Sequence, residues 1–378
     1  MALATQSEAT FEPASDSIAE DEGIEDVDEH QESSPLRYGV TSFGADFPVD
    51  GLVRRLDGGD IVIPTFDPEL DASFGVAGFQ RGFVWSKSQA DRFIESLLLG
   101  FPVPGIFLVQ GPENVYLVLD GQQRLRTLQA FYQGLLRDRA FRLQFVQTNF
   151  RGLNYADLAT DARRRLDNSI IHATIVRQEQ PSDDQSGIYK IFERLNTGGT
   201  LLQPQEIRVA LFAGPLVNLL RDLNETPMWR ALVGPRSKRL KDQEMILRFF
   251  ALRARAEEYK APMKDFLNSY AGWNRYLEHE PEVELRNAFS STVTVVHEHL
   301  GLDAFRPQRA VNVAVMDSIM TVVADGLRTS SLVDHANLFS AYKQLLADGE
   351  YRSATERATA REENVALRLA KARAHLLS

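Results

Sequence analysis

The chain has 378 residues, 42 basic and 52 acidic side chains and no cysteine, a length suited to roughly two domains. The missing cysteine excludes a disulfide framework, a thiol nucleophile and Cys-ligated zinc or iron–sulfur centres, and it fits a reducing compartment. No run of about 18 apolar residues occurs, and the N-terminus has neither a basic start nor an apolar stretch, so the expectation is a soluble cytoplasmic protein away from membranes.

Charge divides the chain unevenly. Residues 1–35 hold 11 acids and no Lys or Arg, so the remainder carries 42 bases against 41 acids. A segment with so little apolar surface cannot offset its ordering entropy, which predicts a disordered acidic tail over 1–35. Such a tail solubilises, or it competes electrostatically with polyphosphate or nucleic acid for an arginine-lined site. The body then opens with a short strand at Ile61-Val62-Ile63, closed by Pro64. Ser86 with Gln89 spells a capping box, which predicts a helix burying Phe93, Ile94, Leu97 and Leu98 and stopping at Gly100. Ile106–Val109 and Val115–Leu119 read as a hairpin. A helix follows, with Leu125, Leu128, Phe131 and Tyr132 at core spacing and Gly134 as its stop.

Further strands are expected at Phe141–Val146 and Ile170–Val176. Ile188, Ile191, Phe192 and Leu195 then mark a helix ending in a cap at Asn196-Thr197-Gly198-Gly199, and Pro204 opens the next helix, through to Phe212. From about residue 214 the periodicity is helical, with segments near 241–257, 281–300, 307–326, 332–347 and 352–376. The fold class is therefore α+β: a mixed α/β N-terminal half over 36–200 and a helical half over 201–378.

Chemistry concentrates at Asp120-Gly121-Gln122-Gln123-Arg124-Leu125-Arg126-Thr127, where a strand ends, a glycine turns and a helix begins. The first turn of a helix offers unpaired N–H groups and the positive end of the dipole to an anion. Arg124 and Arg126 add charge and bidentate hydrogen bonding. Gln122 and Gln123 suit water or base recognition, and Asp120 can hold Mg2+ through water or accept a proton. The same string also suits a plain turn and helix cap with its Gln and Arg side chains in solvent. No G-x-x-x-x-G-K-[ST] string occurs. Of seven histidines only His297-Glu298-His299 cluster, and residues two apart on a helix do not share a face for a metal. Arg163-Arg164-Arg165 and Arg236…Lys238-Arg239…Lys241 are local basic clusters that leave room for nucleic acid or form solvated helix faces.

Five ordered strings together resemble one family, the DGQQR proteins typified by the N-terminal domain of GmrSD-type restriction enzymes. They are Phe79-Gln80-Arg81…Val84-Trp85, the Asp120–Arg124 string, Ile191-Phe192-Glu193-Arg194-Leu195-Asn196-Thr197-Gly198-Gly199, Gln205-Glu206-Ile207-Arg208, and Arg239-x-x-Asp242-x-Glu244-x-x-Leu247-Arg248-Phe249. The resemblance implies a ParB/sulfiredoxin-like N-terminal fold with an all-helical continuation. It implies NTP binding with Mg2+-dependent hydrolysis, in restriction or anti-phage defence, beside a nuclease or second defence subunit. Asp120, Gln122 and Arg124 become the expected catalytic residues. Gly121, Gln123 and Arg126 become nucleotide-binding, with Gln80 and Arg81 as second contributors and Asn196 and Arg208 lining the same crevice. Metal ligands stay unassigned. A ParB-like DNA-binding regulator, or a non-catalytic partner of a nuclease, is the competing expectation. Departures are the absent sulfiredoxin cysteine, the absent H-N-H arrangement, Gly82 where relatives place proline and Arg126 where they place a small polar residue.

Overall fold

A computed structural model describes residues 24–25, 39–63, 85–111, 114–136, 139–147, 149–180, 186–195 and 203–378. Ten residues sufficiently extended to pair form β2 (Gly39–Pro48), after a two-residue β1 (Ile24–Glu25). Next come α1 (Val49–Asp57), β3 (Ile61–Val62), α2 (Lys87–Leu99), β4 (Ile106–Gln110), β5 (Tyr116–Asp120) and α3 (Gln122–Gln133). A small hairpin of β6 (Leu135–Leu136) and β7 (Arg139–Ala140) precedes α4 (Thr160–Asp167), β8 (Ile170–Gln180) and α5 (Ser186–Leu195). The five-stranded sheet has the order β2-β8-β4-β5-β3. β2–β8 and β4–β5 are antiparallel, while β8–β4 and β5–β3 are parallel.

Alternation along the strands supplies two cores. Leu108, Val118 and Ile175 face α1–α4, where Leu52, Ile94, Leu97, Leu128 and Phe131 are buried with them. Val109, Leu119 and Val176 face the other way, into a core that begins with Ile188, Tyr189 and Phe192 of α5. That core continues through α6 (Pro204–Leu211), α7 (Pro215–Asn224), α8 (Pro227–Val233), α9 (Lys241–Arg255) and α10 (Met263–Trp273). Last come α11 (Glu282–Val295), β9 (Val311–Asn312), α12 (Val313–Thr329), α13 (His335–Ala347), α14 (Gly349–Glu356) and α15 (Glu362–Leu376). The architecture is α+β, a mixed sheet followed by helices. None of the helices, among the described residues, is long and apolar enough to cross a membrane.

Local signals formed where the chemistry is local. Ser86 Oγ accepts from the Gln89 N–H at 3.2 Å while Gln89 Oε1 accepts from the Ser86 N–H at 2.8 Å. Both helix stops, Gly100 and Gly134, take the left-handed conformation at φ 74° and 76°. Ser86→Ala removes one side of the box and is expected to cost about 1 kcal/mol in a urea unfolding curve.

Three expectations changed. Phe141–Val146 is not a strand: the Asp91 carboxylate accepts from the Gln144 and Phe145 N–H groups at 2.8 and 2.9 Å, so a side chain satisfies the backbone that a neighbouring strand would have paired. The helix expected near 307–326 begins at Val313, where Asn312 Oδ1 caps the Val315 N–H at 2.9 Å. The single helix expected over 352–376 breaks into α14 and α15, and Asn364 Nδ2 donates to the Arg357 and Ala358 carbonyls freed at the break, both at 3.0 Å. β2 and α1 precede the first element the sequence suggested. Ile24–Glu25, inside the acidic tail, pair in parallel with Val311–Asn312. The rest of the tail and the cap at Asn196–Gly199 lie outside the described residues.

Candidate functional site

β5 carries Asp120 to the end of the sheet, where it pairs across to Phe107 and, through it, lies in register with Thr174 and Gly44. Gly121 then turns at φ 99°, and a Cβ there would meet Ile106 Cγ2 at 2.4 Å. Only glycine meets both demands. α3 starts immediately afterwards. No side chain caps it, and its first turn contains no acid. The dipole end is thus uncompensated by protein charge on its own turn.

Arg124 folds back over this turn. Its Nη2 donates to Asp120 Oδ2 and to the Gly105 carbonyl, both at 2.8 Å. The guanidinium side chain is 14% exposed and the Asp120 carboxylate 51%, so the pair has a buried cationic end and an open anionic end. Arg124 Nε is buried with no hydrogen-bond partner among the described residues. Gln123 turns elsewhere: its Oε1 accepts from the Trp85 N–H at 3.2 Å, which fastens the end of the first string to the start of α3. Thr127 Oγ1 donates to the Gln123 carbonyl at 2.7 Å, one turn on. Gln122 and Arg126 are half-buried on α3.

Asp120, Gly121, Gln122, Gln123, Arg124 and Arg126 are therefore brought together on one strand-to-helix junction. Gln80, Arg81 and Asn196 lie outside the described residues. Arg208 is buried among helices. Its Nε donates to Asn268 Oδ1 at 2.9 Å and its Nη1 to Glu244 Oε2 at 3.0 Å and to Gln205 Oε1. None of these partners belongs to the junction. The fifth string behaves alike, with Arg239 on Glu206 at 3.1 Å, Asp242 on Arg230 at 2.8 Å and Arg248 on Asp317 at 3.1 Å. Its charged residues hold helices together.

Sequence reasoning missed the Gly105 carbonyl and the Trp85 N–H, because a backbone group leaves no side-chain signature. Gly105 itself was a signal: a Cβ there would lie 2.7 Å from the His172 carbonyl, so this strand entrance tolerates only glycine. The basic clusters are partly engaged. Arg163 Nη2 donates to the Ala156 carbonyl at 2.7 Å, Arg165 Nη1 to that of Leu98 at 3.3 Å, and Arg236 pairs with Glu225. His297 and His299 sit on a π-helical turn, Val296–Leu300, and the His299 ring lies 4.2 Å from that of His335. Among the described residues no group of three or more His, Asp or Glu side chains is arranged to hold a metal.

Residues 66–213 match the family model of the GmrSD restriction endonuclease, N-terminal domain. That segment is a member of this family, and it contains the whole Asp120–Arg124 junction together with Arg208. No curated protein and no solved structure matches the chain.

Proposed function

We propose that the chain is a nucleotide-binding component of a DNA-restriction or anti-phage defence system and hydrolyses NTP at the Asp120–Arg124 junction. The observation that carries this reading is an uncapped helix start lying beside a mostly buried arginine and a half-exposed carboxylate. A polyphosphate suits such a place, because unpaired N–H groups, the dipole and a guanidinium act in the same direction.

The roles divide by geometry. Arg124 exchanges its bond to Asp120 for a phosphate oxygen and offsets charge developing in the transition state. Asp120 would be the carboxylate that holds Mg2+, and the ion when bound would neutralise phosphate charge. Gln122 orients the attacking water. Gln123 positions the Trp85 segment, and Gly121 lets the backbone approach. Gln80, Arg81, Asn196 and Arg126 remain assigned to the nucleotide by the family pattern, and the N-terminal half to the ParB/sulfiredoxin-like class.

A nucleotide panel with Mg2+, read by thermal shift and by product release, tests this. Wild-type protein is expected to gain stability and turn over at least one nucleotide. The Asp120→Ala/Arg124→Ala double variant should lose turnover by about 100-fold or more. Equal turnover in both proteins removes the assignment. Stabilisation without product release makes the chain a non-catalytic partner subunit.

A further inference from the structure

The sole described part of the acidic arm, β1, runs parallel to β9, with Ile24 opposite Val311 and Glu25 opposite Asn312. β9 belongs to the helical half, so the arm is fastened there by its backbone. Seven of the 11 acids of residues 1–35 lie between residues 20 and 29, on both sides of this pairing. Each is at most four residues, or about 14 Å of extended chain, from a paired residue.

The surface beside β9 has the opposite character. A groove of about 450 Å3 runs between the 307–312 segment and α14, with Gln308, Asn312, Arg352, Glu356 and Arg357 among its walls. Arg309, Arg352 and Arg357 are exposed. The only described acid among those walls, Glu356, already stands 3.7 Å from Arg352. The groove is held open by its own framework, since Asn312 Nδ2 donates to the Thr355 carbonyl at 2.8 Å while its Oδ1 caps α12.

We infer that this groove is the docking seat of the chain's own acidic arm, residues 20–29, bound in cis. In sequence, Asp21 and Glu22 precede β1 by the same spacing at which Gln308 and Arg309 precede β9. Asp26, Asp28 and Glu29 follow β1 in the chain and supply three negative charges to match Arg352 and Arg357. The two-residue pairing supplies register and the flanking charges supply attraction, which acts over about 10 Å at 0.1 M salt and is screened at higher salt. The inference is independent of nucleotide binding. It redirects the arm's carboxylates from the Asp120–Arg124 junction to the helical half.

Hydrogen exchange of the intact chain, read by mass spectrometry over residues 20–29, tests it. At low salt these amides should exchange about tenfold more slowly than in the free peptide of the same sequence. The protection should fall in 1 M salt and in the Arg309→Glu/Arg352→Glu/Arg357→Glu variant. It should persist in Arg54→Glu, a reversal at an exposed position of α1. Free-peptide rates in the wild-type chain at low salt would overturn the inference, as would protection indifferent to the triple reversal. Protection that grows with protein concentration would also overturn it, by moving the arm onto a second copy.

Discussion

Asp317→Asn is expected to lower the stability of the chain by about 3–5 kcal/mol, the cost of stripping the counter-charge from a buried ion cluster. Asp317 on α12 is fully buried. Arg368 on α15 grips it with two bonds, Nε to Oδ1 at 2.8 Å and Nη2 to Oδ2 at 2.7 Å, while Arg248 on α9 donates Nε to Oδ2 at 3.1 Å. Both guanidiniums are also buried. Asparagine keeps the volume and removes the carboxylate charge that both guanidiniums share. Chemical denaturation gives the loss, with Arg286→Ala as the comparison. Arg286 pairs with Asp222 and Glu282 in solvent and should cost no more than about 1 kcal/mol. Replacing all three buried residues by Met or Leu should recover much of the loss, because three desolvation penalties disappear together. If Asp317→Asn proves no worse than Arg286→Ala, the cluster does not hold the three helices.

Gly121→Ala should be the most damaging single methyl in the N-terminal half. Left-handed backbone costs a non-glycine residue about 1–2 kcal/mol. Gly134→Ala bears only that cost, since nothing lies within 4 Å of its Cβ position. Gly121→Ala bears it too and adds the 2.4 Å contact with Ile106, an overpacking cost of about 1–3 kcal/mol. The difference between the two variants in urea therefore isolates the clash. Relief of the clash requires α3 to move relative to β4, which separates Arg124 from the Gly105 carbonyl. Nucleotide-dependent stabilisation should vanish in Gly121→Ala and survive in Gly134→Ala. Equal stability of the two variants would show that the turn yields freely, and the close approach of β4 to α3 would lose its role.

What could be read from sequence was what is chemically local. Ser86 with Gln89, Gly100, Gly134 and Pro204 each act within one helical turn, and their elements formed as expected. The Asp120–Arg124 junction was legible for the same reason: strand end, turn and helix start are adjacent in the chain. β2 was not legible, because an edge strand mostly exposed along its length has no clean alternation to betray it. Asp91 capturing the backbone at Gln144 and Phe145 spans more than fifty residues, and no window of periodicity contains both ends. Arg208 and the Arg239–Arg248 string show the same limit from the other side. Arg208 was expected to line the nucleotide crevice and is bonded to Asn268 and Glu244, while the charged residues of the string are bonded to Glu206, Arg230 and Asp317. A pattern records that a charge sits at a position and is silent about which distant charge it meets.

The sheet is a wall shared by two rooms. Leu108, Val118 and Ile175 furnish one side, and Val109, Leu119 and Val176 the other, drawn alternately from the same three strands. A fragment cut near residue 200 would retain every strand of the five-stranded sheet and all of the Asp120–Arg124 junction yet bare most of one apolar side of the sheet. Such a fragment is a candidate for inclusion bodies, and failure to obtain it in active form would say nothing against the junction. The same sharing makes unfolding a joint event: loosening the helices wets Val109 and Leu119, and through them the strand that delivers Asp120.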